Sequence, residues 1–180
     1  MKKTVLTFGL ISGFIMIAMM TLSLIFSDRI GFGHSLVVGY TILIAGSLLV
    51  SFGIRSYREN VGGGQISFGR AFAVGILITL VASVCYVVTW EIIYFKFLPD
   101  FADKYAAYMI EKARAAGESA QKIQAIAEEM KGMKATLNNP FLNAAFSFLE
   151  PFPIGLLVTL ISAAILRKKP QQPVNDAVAA

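Results

Sequence analysis

Cysteine and histidine each occur once in this chain, at Cys85 and His34. A lone cysteine excludes an intramolecular disulfide, and Cys85 sits inside an apolar run where it reads as a small buried hydrophobe. One residue of each kind cannot assemble a Cys/His zinc site within one chain, so neither metal nor cofactor is expected. Charge is scarce too: Asp, Glu, Lys and Arg make up 15% of 180 residues, against roughly a quarter in a soluble domain. No Ser-His-Asp arrangement and no metal-peptidase spacing appears, so no catalytic residues and no enzymatic activity are expected. The net charge of +5 would raise the question of nucleic acid in a soluble chain. Here the excess flanks hydrophobic segments, which makes it a topology signal and excludes nucleic acid as the expected partner.

What the chain does have is long uncharged runs. Val5 to Phe26 gives 22 residues, Ser35 to Ile54 gives 20, and Ala71 to Trp90 another 20. At about 1.5 Å of rise per residue, 20 residues cover the roughly 30 Å hydrocarbon core. A helix satisfies its own backbone hydrogen bonds there, and the runs lack the alternation of barrel strands. A fourth run, Pro151 to Leu166, has 16 residues and is short for a span. Extended back to Phe141 it includes Glu150 and the Pro151-Phe152-Pro153 sequence, so a span bent near Glu150 is expected. The sequence thus predicts an all-α, four-helix transmembrane bundle over residues 1–169, with spans at about 5–26, 34–54, 70–95 and 141–166. The Pro-, Gln- and Ala-containing tail over 170–180 is expected to be disordered. The first span is too long for a usual signal core and lacks a clean cleavage site, so it is expected to stay uncleaved.

Four spans bring Lys2-Lys3, Arg55/Arg58/Arg70 and Arg167-Lys168-Lys169 to one side. The opposite side carries Asp28-Arg29 and the long segment Phe97 to Pro140, with six basic and six acidic residues. By the positive-inside rule both termini are expected to be cytoplasmic and the long loop outside. An odd number of spans would split the basic clusters between two faces. The long loop carries apolar residues at helical spacing, first Phe101, Tyr105, Tyr108 and Met109, then Ile123, Ile126, Met130, Met133 and Leu137. With Gly117 between the two sets and Asn138-Asn139-Pro140 after them, an amphipathic helical hairpin over about 99–138 is expected. Its apolar faces could pack on each other, on the membrane or on a partner.

Small residues recur every four positions at Ala71, Gly75, Thr79 and Ser83 in span three, and at Gly155, Thr159 and Ala163 in span four. Gly9 and Gly13 form a GxxxG in span one. Such stripes let helices approach closely in lipid, within one bundle or between copies in a homo-oligomer. The segment Gly64-Gln65-Ile66-Ser67-Phe68-Gly69-Arg70-Ala71 nearly fits a phosphate-binding loop. Arg70 and Ala71 stand where that loop needs lysine and a hydroxyl residue, so a glycine turn, a Ser67 cap and headgroup-facing Arg55, Arg58 and Arg70 are the better account. His34, Glu91 and Glu150 lie toward the outer side and form a candidate intramembrane polar cluster. Trp90, Tyr94 and Lys96 around Glu91 suit an interfacial belt equally well.

The stretch joining spans two and three resembles the bacterial family called domain of unknown function 4199. The likeness rests on Gly53-Ile54-Arg55-Ser56-Tyr57-Arg58, Gly63-Gly64, Ile66-Ser67-Phe68-Gly69-Arg70-Ala71-Phe72 and Gly75, with Pro99-Asp100-Phe101 at the start of the long loop. The resemblance implies a four-helix protein of the bacterial inner membrane and no particular activity. The expected role is a non-enzymatic structural, interaction or regulatory membrane component, its outer hairpin or inner basic loop contacting a partner. The alternative is an oligomeric small-solute or proton-coupled transporter using Glu91 and Glu150.

Overall fold

The computed structural model describes residues 1–25 and 32–168, and the side chains of all these except residues 25 and 32–36. The expected tail over 170–180 lies outside the described residues. Seven helices are described: α1 Lys2–Ile25, α2 Phe32–Asn60, α3 Phe68–Lys96, α4 Phe101–Ala115, α5 Ala120–Leu137, α6 Pro140–Phe148 and α7 Pro151–Leu166. Among the described residues, α1, α2, α3 and the α6–α7 pair are long and apolar enough to cross a membrane, and the chain folds as an all-α transmembrane bundle. Round the bundle the order is α1, α2, α7, α3, since α1 and α7 each pack on both α2 and α3. Large apolar side chains such as Phe14, Phe52, Val84, Ile161 and Ile165 stay exposed, which is the surface a bilayer covers.

The basic end is tied together by backbone. Gly63 and Gly64 adopt φ of +59° and +80°, a conformation glycine takes without penalty. The turn they make brings Ile66 against Lys168 in an isolated antiparallel bridge, with N–H to O distances of 3.1 and 2.9 Å. Ser67 caps α3 by accepting from the Arg70 N–H. Arg55 and Arg70 are exposed. Arg58 instead donates from Nη1 to the Leu166 carbonyl at 3.2 Å, satisfying an end group of α7 that has no intrahelical partner.

At the other end α4 and α5 form the hairpin. Gly117 turns the chain at φ +72°, and Ser119 then caps α5 by accepting from the Lys122 N–H. That cap starts the second helix at Ala120. Met130, Ala102 and Ala113 are buried, and no large apolar side chain between Phe101 and Leu137 is exposed. The two apolar stripes are therefore covered, with Lys134 and Asp103 bridging the hairpin at 2.5 Å. Gly132 is exposed inside α5, and a Cβ there would meet nothing within 4 Å. Gly132→Ala should stabilise the protein by about 0.5–1 kcal/mol, because the helix no longer carries glycine's backbone entropy. A denaturation midpoint equal to or below that of the parent protein would contradict this.

Candidate functional site

The site follows from a change of side-chain size along one face of α3. Near the basic end that face carries Ala71, Gly75, Thr79 and Ser83, all buried. A Cβ on Gly75 would stand 2.6 Å from Thr159 Cγ2, and one on Gly155 would stand 2.9 Å from Thr79 Oγ1. Thr79 and Thr159 hydroxyls lie 3.3 Å apart, and Ala163 is fully buried. The two stripes thus interlock at the α3–α7 interface. The Gly9 and Gly13 pair is also occupied within the chain, with added Cβ atoms falling 2.7 Å from Val81 Cβ and 2.8 Å from Cys85 Cβ.

Beyond Ser83 the same face of α3 turns aromatic, at Tyr86, Trp90 and Tyr94. Each reaches the start of the fourth span or the helix end before it. Tyr86 donates its hydroxyl to Glu150 Oε2 at 2.8 Å, Trp90 Nε1 donates to Asn143 Oδ1 at 3.0 Å, and Tyr94 donates to Asn138 Oδ1 at 3.3 Å. Asn143 is fully buried. Its amide donates to the Leu137 carbonyl and its oxygen accepts from Ser147, so one side chain joins α3, the end of α5 and α6. Asn139 caps α6, and the chain breaks at residues 149–150 before Pro151, which has no N–H to continue the ladder.

Large side chains on a face that begins with small ones hold the helices apart, and a cavity of about 310 Å³ opens there. Its inner wall is Met20, Leu24 and Leu43, with Tyr86 and Glu150 alongside; Tyr40 stands on α2. The start of α4 supplies the remaining wall, through Phe101, Lys104 and Tyr105. Trp90 packs edge-on against Phe101 at 5.3 Å, and Phe101 stacks on Tyr105 at 6.3 Å. Burial raises the Tyr105 phenol above its ordinary value, so the phenol stays neutral near pH 7. Spans and hairpin root bound the cavity jointly. Toward the basic end the interior closes: Ser12, Ser47, Thr79, Ser83 and Gly155 surround a gap with no room for a water molecule.

Of the three polar residues singled out above, Glu150 lines the cavity and Glu91 does not. One Glu91 carboxylate oxygen is buried without a hydrogen-bond partner among the described residues. His34 belongs to α2, but its side chain lies outside the described residues. Tyr86 and Asn143 were not singled out from sequence. Their signals were the spacing 83, 86, 90, 94 along one helical face, and an amide inside an apolar run. Among the described residues no group of three or more His, Cys, Asp or Glu side chains could hold a metal ion.

No curated protein and no solved structure matches the chain. A family model does, over residues 7–168, which takes in α1 from residue 7 onward, the other helices of the bundle and both helices of the hairpin. The chain belongs to that family, described as protein of unknown function DUF4199.

Proposed function

We propose that this protein is a non-enzymatic regulatory membrane component that binds a small ligand where its spans meet its hairpin. The observation that carries this reading is the shared wall of the 310 Å³ cavity, built from α1, α2, α3, the break before α7 and the first turns of α4. A pocket of that size suits a small molecule. Its occupant would touch both the bundle and the root of the hairpin. The Tyr86, Trp90 and Tyr94 hydrogen bonds then link the pocket to the junction where the hairpin rejoins the membrane helices. The closed interior below Thr79 weighs against a conduit running through one chain. Purified protein in a non-ionic maltoside should show saturable changes in Trp90 emission with small amphiphiles that fit the cavity. Gly39→Phe, on the cavity lining where a new Cβ meets nothing within 4 Å, should abolish them by filling it.

The same reading places the hairpin outside a bacterial inner membrane with both termini in the cytoplasm. Its support is the basic end, where Lys2, Lys3, Arg55, Arg70, Arg167 and Lys168 are exposed. In a Cys85→Ala background, Ser119→Cys should react with an impermeant thiol reagent on intact cells. Reaction only after lysis would invert the orientation and put the cavity on the cytoplasmic side.

A further inference from the structure

We infer that the cavity takes a small organic cation, a quaternary ammonium or protonated alkylamine group held between the Glu150 carboxylate and the rings of Tyr40, Tyr86 and Trp90. The inference rests on the pocket reading above and adds the charge and class of the occupant.

Glu150 is exposed and reachable from the cavity, because it occupies the break between α6 and α7 and lines the open space. Its Oε2 accepts from Tyr86, which fixes the carboxylate's position. Its other oxygen has no hydrogen-bond partner among the described residues and remains available. Trp90 cannot turn away, because its Nε1 is held by Asn143 and its ring by Phe101. Tyr40 stands within electrostatic reach of both Tyr86 and Tyr105. A fixed carboxylate beside electron-rich ring faces attracts a weakly hydrated cation through both the charge and the ring quadrupoles.

Competing ligand classes fit less well. An anion would meet Glu150 and Asp100 in the lining, with Lys104 as the one lining cation. Lys104 forms no ion pair with either carboxylate among the described residues, so it does not cancel them. A wholly apolar ligand would strip water from Glu150 and offer nothing in return. A hard metal ion needs several oxygen ligands at close range, and no such group exists among the described residues. The volume, that of roughly ten waters, suits an occupant of about ten non-hydrogen atoms. A free solute or the amine of a phospholipid headgroup presents the same chemistry.

The chain's single tryptophan is Trp90, so its emission reports on the cavity alone. Protein in non-ionic maltoside would be titrated with benzyltrimethylammonium, with its uncharged carbon analogue neopentylbenzene, and with benzenesulfonate. The expected result is saturable quenching by the cation, with the other two weaker by about tenfold or more. Glu150→Gln, which keeps the shape and can still accept from Tyr86, should weaken the cation about tenfold and leave neopentylbenzene unchanged. Should that variant fail to fold, Tyr40→Leu, on an exposed wall, should weaken the cation about fivefold. Lys104→Gln should tighten it roughly two- to threefold by removing a like charge, a gain that structural damage would not produce. Doping the micelles with phosphatidylethanolamine rather than diacylglycerol identifies the source: competition marks a headgroup site, equal titrations a site for a free cation. If cation and neutral analogue bind equally and Glu150→Gln changes nothing, the cation assignment is overturned while the pocket reading stands. If none of the probes gives a saturable change, both are overturned.

Discussion

Replacing Gly155 by leucine should destabilise the bundle by about 3 kcal/mol. The first atom of a new side chain already meets Thr79, whose Oγ1 would be 2.9 Å away and whose Cγ2 would be closer still. Threonine is branched at Cβ and stiff, so it cannot swing aside as a long side chain could. The strain would also part Thr79 from Thr159, now 3.3 Å apart, and pull α7 away from α3. Alanine at the same position separates two effects. It gains helix propensity of about 1 kcal/mol over glycine, yet it meets the same contact, so a net loss would show that close approach outweighs propensity. Gly69→Ala is the control, because a Cβ there meets nothing within 4 Å. Unfolding in maltoside by graded addition of dodecyl sulfate, followed by circular dichroism, reads all three. A leucine variant as stable as the parent protein would refute the interlocked interface.

Asn143→Leu should cost about 2–4 kcal/mol despite the similar side-chain volume. The substitution removes the acceptor for Trp90 and Ser147 and the donor to the Leu137 carbonyl. Each polar partner left without a hydrogen bond in a dry site carries about 1–3 kcal/mol of desolvation. Water entering from the nearby cavity offsets part of the sum. The specific signature is a coupling with Trp90. In a Trp90→Phe background one of those partners is already gone, so the cost of Asn143→Leu should fall by about 1 kcal/mol. Additive costs would mean that the 3.0 Å contact between the two residues contributes nothing to stability.

Which parts of this architecture could be read from the sequence follows from which constraints act within a single segment. A span must be apolar over its own length, so Val5 to Phe26 and Ala71 to Trp90 declare themselves. The hairpin is legible for the same reason: Gly117 can adopt positive φ, Asn139 caps, and Pro140 suits a helix start. The order of helices round the bundle is different. All four spans are apolar on nearly every side, and lipid supplies no hydrophobic contrast to mark the inward face. The small-residue stripes show that close contacts form, but Gly75 does not carry the information that its neighbour is Thr159. The cavity is harder still, because Glu150 and Tyr86 are 64 residues apart. Membrane depth alone does not say which way Glu91 and Glu150 face, because rotation about the helix axis also counts. One step from Trp90 to Glu91 turns the side chain by about 100°, and that turn takes Glu91 off the cavity wall. Asn143 was readable in principle, since an amide within lipid depth needs partners, though nothing local says which.

The circular order of the helices has a consequence for biosynthesis. Spans one to three leave the ribosome first, and the fourth belongs between the second and third, opposite the first. Until it arrives, the three early helices form an open trough floored by Gly75 and Thr79. The hairpin delays the missing piece by about forty residues, which at translation speeds of roughly 5–20 residues per second is several seconds. During that wait the trough is exposed to lipid and to the helices of any neighbouring nascent chain. A second copy could lend its own fourth helix, and crowded synthesis on one messenger would favour the exchange. Interlinked chains are therefore expected to rise with expression level, which crosslinked mass at low and high induction would read.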